Sequence, residues 1–224
     1  MTDRVIAYER AVMRAVVNHV ATARGLTPPW PGHTTDIPGW LQRKLTTTSP
    51  ATWDVVQLGE IRQQLIPADR RGAHGVVYTP PEVVEYMVSA TLDAAHLDRL
   101  DDHPDPLSQI TIVDPACGCG IFPVYVARHL AAWYAAWLVG PNPPTGVITT
   151  VMPLVMHNCV YGIDLDPVAV EVARAACWLE TGGRAPIGFM DDNLVVADAL
   201  AEDLPKRFPK FAARWKAGAL AEVD

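Results

Sequence analysis

The sequence predicts an α/β fold built on a parallel sheet, and three observations predict it. Short β-rich runs, ITIVD (110–114), VYGID (160–164) and NLVVAD (193–198), alternate with longer helical stretches. Helix-start signals follow the first two runs directly: a turn of small residues before Ile121, and Asp166-Pro167 before Val168. Half of the 224 residues are hydrophobic and 19% are charged, enough apolar material for a real core, which excludes intrinsic disorder.

In chain order, residues 3–23 carry Val5, Val12, Val16 and Val20, with Met13 and Val17 beside them, at helical spacing. A loop rich in Pro, Gly and Thr runs from Gly25 to about Pro50, interrupted only by GWLQRKL. Ser49 reads as an N-cap with Pro50 at the first helical position. It opens a helix through Ile66 with Trp53, Val56, Ile61 and Leu65 on one face. After the basic turn ADRRGAHG, Thr79 and Glu82 stand at capping-box spacing, ahead of a stripe of Val83, Val84, Met87, Val88 and Leu92. Ile121–Val139 is a long apolar helix, GPNPPTG a proline-rich loop, and 148–157 a second helix. Asp166 caps the helix DPVAVEVARAACWLE, and a tail with Phe208, Phe211 and Trp215 at helical spacing closes the chain. These elements divide into a helical N-terminal segment (1–75), an α/β domain (76–204) and an amphipathic tail helix (205–224).

Eighteen Lys and Arg against 25 Asp and Glu give a net charge of −7, which argues against a dominating basic surface for nucleic acid but leaves room for a local patch. No run approaches the roughly 18 apolar residues of a membrane span, and MTDRVIAYER places charges where a signal peptide needs its apolar stretch. Cys117, Cys119, Cys159 and Cys177 are too few for a disulfide scaffold, so a reduced, cytoplasmic protein is expected.

Chemistry concentrates in Asp114-Pro115-Ala116-Cys117-Gly118-Cys119-Gly120. The strand ends in an acid that accepts hydrogen bonds, and the glycines allow a ligand close to the backbone; the alternative is an ordinary tight βα turn. A dinucleotide fingerprint would place its third glycine at Pro123 and an acid about 20 residues on, whereas the next strand-end acid is Asp164. A nicotinamide oxidoreductase is disfavoured on that ground. Cys117 and Cys119 lack the third and fourth ligands of a metal site.

The order YTPP, DPACGCGIF, YGIDLDPVAVEVARAACWL and VADAL, preceded by LGEIRQQLIPADRRGAHGVV, resembles the S-adenosylmethionine-binding half of the adenine-N6 DNA methyltransferases, particularly those of bacterial restriction–modification and phage-defence systems. The resemblance covers roughly residues 55–200. It implies a Rossmann-like class I methyltransferase fold, incomplete, of which the first three parallel strands are recognisable, with a helical N-terminal segment in front. By position, Thr79 would bind the methionine carboxylate, with Tyr78 and Pro80 beside it. Asp114, Pro115 and the loop Ala116, Cys117, Gly118 and Gly120, with Phe122, would hold the amino-acid portion and the sulfonium. Asp164 would accept from the ribose hydroxyls and Leu165 would lie against the adenine. Asp198 would accept from the adenine amino group, with Ala199 and Leu200 beside the ring. From the residues alone, Asp166 reads as a helix cap and Asp198 equally as a loop acid.

Two departures from the family stand out. Cys119 replaces the usual serine between the glycines, a near-isosteric change. The family's Asn/Asp/Ser-Pro-Pro-aromatic tetrapeptide, which accepts from the target amino group and stacks on the flipped base, has no match after Leu200. Asn142-Pro143-Pro144 precedes Thr145 and falls between the first and second motifs, as a proline-rich loop. No target-recognition domain is expected after it. With three strands, ITIVD becomes an apolar edge that another polypeptide, a second copy, or the chain's own terminal segments would cover. The expected function is the S-adenosylmethionine-binding part of a DNA adenine-N6 methyltransferase that reaches DNA through a larger assembly, with another chain supplying the tetrapeptide. The alternatives are a catalytically silent S-adenosylmethionine-binding subunit and a small-molecule methyltransferase.

Overall fold

Alternation of side chains along three short strands decides the architecture. The computed structural model describes residues 3–33, 35–67, 79–94, 97–201, 206 and 208. Strands β1 (Ile112–Asp114), β2 (Val160–Asp164) and β3 (Leu194–Val196) form a parallel sheet in the order β1-β2-β3. Ile112 pairs with Val160 and Gly162 with Leu194, which brings the carboxyl ends of all three strands to one side. Ile112, Val160 and Leu194 point into the main core, whereas Val113, Tyr161, Ile163 and Val195 point to the opposite face.

The helices described here cover the first of these faces. They are α1 (Asp3–Ala23), α2 (Gly39–Thr47), α3 (Val55–Leu65), α4 (Pro81–Ala94), α5 (Ile121–Val139), α6 (Thr145–Cys159) and α7 (Pro167–Glu180). Helices α5, α6 and α7 pack on β2, α6 and α4 flank α5, and α1 and α3 lie across α7 as a further layer. Val12, Val16 and Val20 of α1 are fully buried, each worth roughly 1.5–3 kcal/mol of transfer free energy. The main core is thus continuous from α1 to β3.

On the other face, Tyr161, Ile163 and Val195 cluster with Phe208, whose ring meets Tyr161 edge-on at 5.4 Å. Of the expected tail helix only Lys206 and Phe208 are described, Phe208 in non-helical backbone; Phe211 and Trp215 lie outside the described residues, as does the basic turn. Among the described residues, β1 has no strand on its side away from β2.

Four local expectations are corrected. Ser49 and Pro50 open only a 3-10 turn, Pro50–Thr52, with no side-chain cap bond. Helix α3 starts instead at Asp54, whose Oδ1 accepts from Val56 N at 2.9 Å while Gln57 Oε1 accepts from Asp54 N at 2.9 Å. A carboxylate with a glutamine three residues on caps a helix better than a serine left without a partner. Helix α4 begins at Pro81, with the Pro80 carbonyl accepting from Val83 and Val84, so Pro80 and not Thr79 stands at its start. Its buried stripe is Val84, Val88 and Leu92. Val83 and Met87 are exposed beside Tyr86, because only one narrow line of α4 meets α5. The helix expected over 148–157 extends to Thr145–Cys159.

Two glycines set the close approaches at the strand ends. A Cβ on Gly162 would stand 2.9 Å from Cys117 Cβ, so this glycine lets the β1–α5 loop sit on β2. Gly120 has φ +90°, and a Cβ there would come 2.8 Å from Ala173 Cβ on α7. Gly118 has φ +51° with open space around it. Gly120→Ala is therefore expected to cost about 2–4 kcal/mol, backbone strain plus overpacking. Gly118→Ala should lose only about 1 kcal/mol of backbone preference. Urea titration of both variants measures the contrast; equal losses would contradict it.

Candidate functional site

The site forms where β1 and β2 end and their following loops turn into helices. Asp114, the last residue of β1, is half-buried; its Oδ1 accepts from Ala116 N at 3.0 Å. Its Oδ2 is buried and has no hydrogen-bond partner. Burial pushes the Asp114 carboxyl above the usual aspartate range, the Ala116 N–H opposes this, and the nearby Asp164 charge adds to it. An acceptor left in that condition is costly unless a donor arrives.

The loop after Asp114 folds over β2. Cys117 N donates to Ile163 O at 2.9 Å, Gly120 N to Cys117 O at 2.8 Å, and Gly118 N to Asp164 Oδ2 at 2.8 Å. The other oxygen of Asp164 accepts from Asp166 N at 2.8 Å, so the acid at the end of β2 ties together the glycine loop and the start of α7. Asp166 caps α7, its Oδ1 accepting from Val168 N and Ala169 N. The capping role read from the residues is thus the observed one.

Asp166 has a second task that the sequence did not signal. Its Oδ2 pairs with Arg62 Nη2 at 2.6 Å, and Arg62 also pairs with Glu9 Oε2 at 3.0 Å. Arg62 and Glu9 are both 2% exposed, so α1 and α3 clamp the start of α7 through a buried ion network. On single helices, Glu9 and Arg62 look like ordinary solvated charges.

At the third strand, Ala197 N donates to Asp164 O at 3.0 Å, which brings the chain after β3 alongside the end of β2. Asp198 follows, exposed, with Oδ1 accepting from Leu200 N at 2.9 Å. Two large apolar side chains stand in solvent next to these acids: Leu165 is 71% exposed and Leu200 99%. Ala199 packs on the small cluster of the second sheet face. Pro115 and Ala116 are exposed at the bend, and Phe122 packs on the core from the first turn of α5. Thr79 is half-exposed and Pro80 exposed at the start of α4. Glu82 and Glu85 act electrostatically on Tyr125, which places that start beside the first turns of α5. Tyr78 lies outside the described residues.

The structure therefore brings Asp114, Cys117, Gly118 and Asp164 into direct contact or coupling, and sets Leu165 and Asp198 alongside. Burial, the largest influence on both thiols, raises Cys117 and pushes Cys119 up to about 12, so neither is a thiolate at neutral pH. All four cysteines are free, and among the described residues no group of three His, Cys, Asp or Glu could hold a metal ion. Nor, among those residues, is any helix long and apolar enough to cross a membrane. Asn142, with φ +60°, sits in the α5–α6 loop. The 19 residues of α5, about 28 Å at 1.5 Å per residue, separate it from the glycine loop.

Chemically, the arrangement is rich in acceptors. It offers carboxylates to an ammonium, to hydroxyls and to an amine, and exposed leucines to a flat ring. Because the folded-state pKa of Asp114 is raised, the folded chain holds the proton more tightly than the unfolded chain. Its contribution to stability is fully present below the unfolded value and falls as pH rises through the folded one. Asp114→Asn removes that dependence. The stability of the variant relative to the parent should rise with pH across the carboxylate range and then level off, as followed by urea unfolding at stepped pH. A difference independent of pH would refute the assignment.

Among the described residues, the chain is a small parallel α/β unit of the Rossmann type, three strands with helices packed against them. No family model, no curated protein and no solved structure matches it.

Proposed function

We propose that this chain is the S-adenosylmethionine-binding half of an adenine-N6 DNA methyltransferase of the restriction–modification or phage-defence kind. The observation that carries the reading is the buried, unpartnered Oδ2 of Asp114 at the end of β1, next to a glycine loop and a second strand-end acid. An ammonium donor there, the amino group of the methionine portion, would relieve the one buried acceptor the loop leaves unmet. The residues present fit the cofactor, whose sulfonium supplies an activated methyl group when bound.

Each residue then has a task. Asp114 receives the amino group while Ala116 N holds its other oxygen in place. Asp164 keeps one lone pair per oxygen for ribose hydroxyls after binding Gly118 N and Asp166 N. Leu165 and Leu200 offer apolar faces to the adenine, Asp198 accepts from its amino group, and Thr79, near the start of α4, takes the carboxylate. No residue here abstracts a proton from a target base. The one NPP sequence lies at the far end of α5, away from the glycine loop, so the base acceptor of a complete enzyme would be supplied from outside these 224 residues. The same placement favours the second reading, a catalytically silent S-adenosylmethionine-binding subunit. Among the described residues β1 has no strand beyond it, and a partner chain or second copy that completes the sheet there would form the assembly that engages DNA.

Calorimetry with S-adenosylhomocysteine tests the reading. Binding is expected, and Asp198→Ala should weaken it by about 1–3 kcal/mol, the cost of an unmet polar group. Asp198 is the cleaner probe, because Asp164→Ala would also free the glycine loop. NADH binding without S-adenosylhomocysteine binding would overturn the assignment. The chain alone is expected to transfer negligible labelled methyl to duplex DNA. Robust incorporation would remove the need for a partner.

A further inference from the structure

At the other end of α5 lies an open groove of about 760 Å³, lined by Asp93, Leu97, Asp101, His129, Trp133, Ala136, Trp137 and Pro141. None of these belongs to the cofactor site, and this inference does not rest on that reading. Four features of the groove favour positive charge. Asp93 and Asp101 are exposed carboxylates on its wall, and no Lys or Arg is among the described lining residues. Arg99, the nearest cation in sequence, is not one of them. The groove adjoins the C-terminus of α5, which carries no basic residue in its last turn, so no side chain of that turn offsets the negative end of the helix dipole. Trp133 and Trp137, four residues apart on one helix face, present indole rings whose π faces attract cations.

The aromatic wall is also held in position before any ligand arrives. Trp137 stacks on Tyr134 at 5.4 Å with an interplanar angle of 11°, and its Nε1 donates to Asp101 O at 2.7 Å. An indole fixed by both a stack and a hydrogen bond loses little rotamer freedom on binding. Leu138 and Val139, both exposed, extend the apolar surface past the groove. An open trough walled by indoles and carboxylates suits an extended chain carrying cationic side chains better than an isolated small ion, and it repels phosphate backbones.

We propose that the Asp93–Trp133–Trp137–Asp101 groove is a docking site for an arginine- and lysine-bearing segment of a partner protein. An arginine stem would lie on the indoles while its guanidinium reaches the carboxylates. The test is fluorescence anisotropy of a labelled twelve-residue peptide alternating arginine and glycine, titrated with the full chain. Saturable binding that weakens with added salt is expected. The double variant Asp93→Asn/Asp101→Asn should bind about tenfold more weakly, and Trp133→Leu, which keeps apolar bulk but loses the π face, several-fold more weakly. The two carboxylates are exposed, so the double variant should keep the parent's circular dichroism. The proposal is overturned by no saturation up to about 1 mM, by equal binding of a glutamine-for-arginine peptide, or by unchanged affinity in both variants. Free arginine amide matching the peptide in affinity would also overturn it, by showing a small-cation site instead.

Discussion

Asp164 is the residue on which the strand-end geometry depends. Its two carboxylate oxygens hold Gly118 N and Asp166 N, and its carbonyl holds Ala197 N. The glycine loop, the start of α7 and the chain leaving β3 are thus referred to one residue at the end of the middle strand. Because Asp166 is itself pinned by Arg62, the frame extends into α3 and, through Glu9, into α1. A small sheet of three strands gains from this arrangement a fixed position for loops that would otherwise have only the ends of short ladders to hold them. In a partly buried setting such coupled hydrogen bonds reinforce one another, and each unmet member is correspondingly costly.

A second set of charges closes the opposite side of the helical layer. Arg128 on α5 joins Asp54, the cap of α3, and Glu180 at the end of α7. Arg24 donates to the carbonyls of Ala51, Trp53 and Leu179, neutralising a helix C-terminus with a planar fork of donors. These contacts explain why the N-terminal helices belong to the same packed core as the strands. Their apolar faces bury surface, while their few polar residues fix the angle at which they do so.

Much of this was legible in the sequence. The strands VYGID and NLVVAD, the bounds of α5 between two glycines, and the Asp166-Pro167 start of α7 carry local signals that tertiary structure does not override. Ser49-Pro50 matches a helix-start signal by residue type alone, and no side-chain bond backs it. The Asp54–Gln57 pair that prevails needs the reciprocal bonds to be recognised. Val83 and Met87 were assigned to the buried face because helical periodicity gives a stripe its direction but not its width. Glu9 and Arg62 gave no signal, since their pairing joins residues 53 positions apart (62 − 9) and exists only once α1 and α3 pack. The strand-end acids were visible; that Asp114 keeps one oxygen unmet while Asp164 meets both follows from backbone geometry alone.

The strand order β1-β2-β3 follows the order of synthesis, and the contact of Phe208 with Tyr161 on the second sheet face comes after all three strands. A chain emerging from the N-terminus brings out Val196, the end of β3, before Phe208 can reach the other side. At about 5–20 residues per second, Phe208 follows Val196 by roughly 0.6–2.4 seconds, an interval in which the Tyr161, Ile163 and Val195 surface lacks its contact with that ring. That interval is a kinetic opening. A protein that binds this face co-translationally competes with a residue not yet clear of the ribosome, whereas one arriving later must displace a buried aromatic ring.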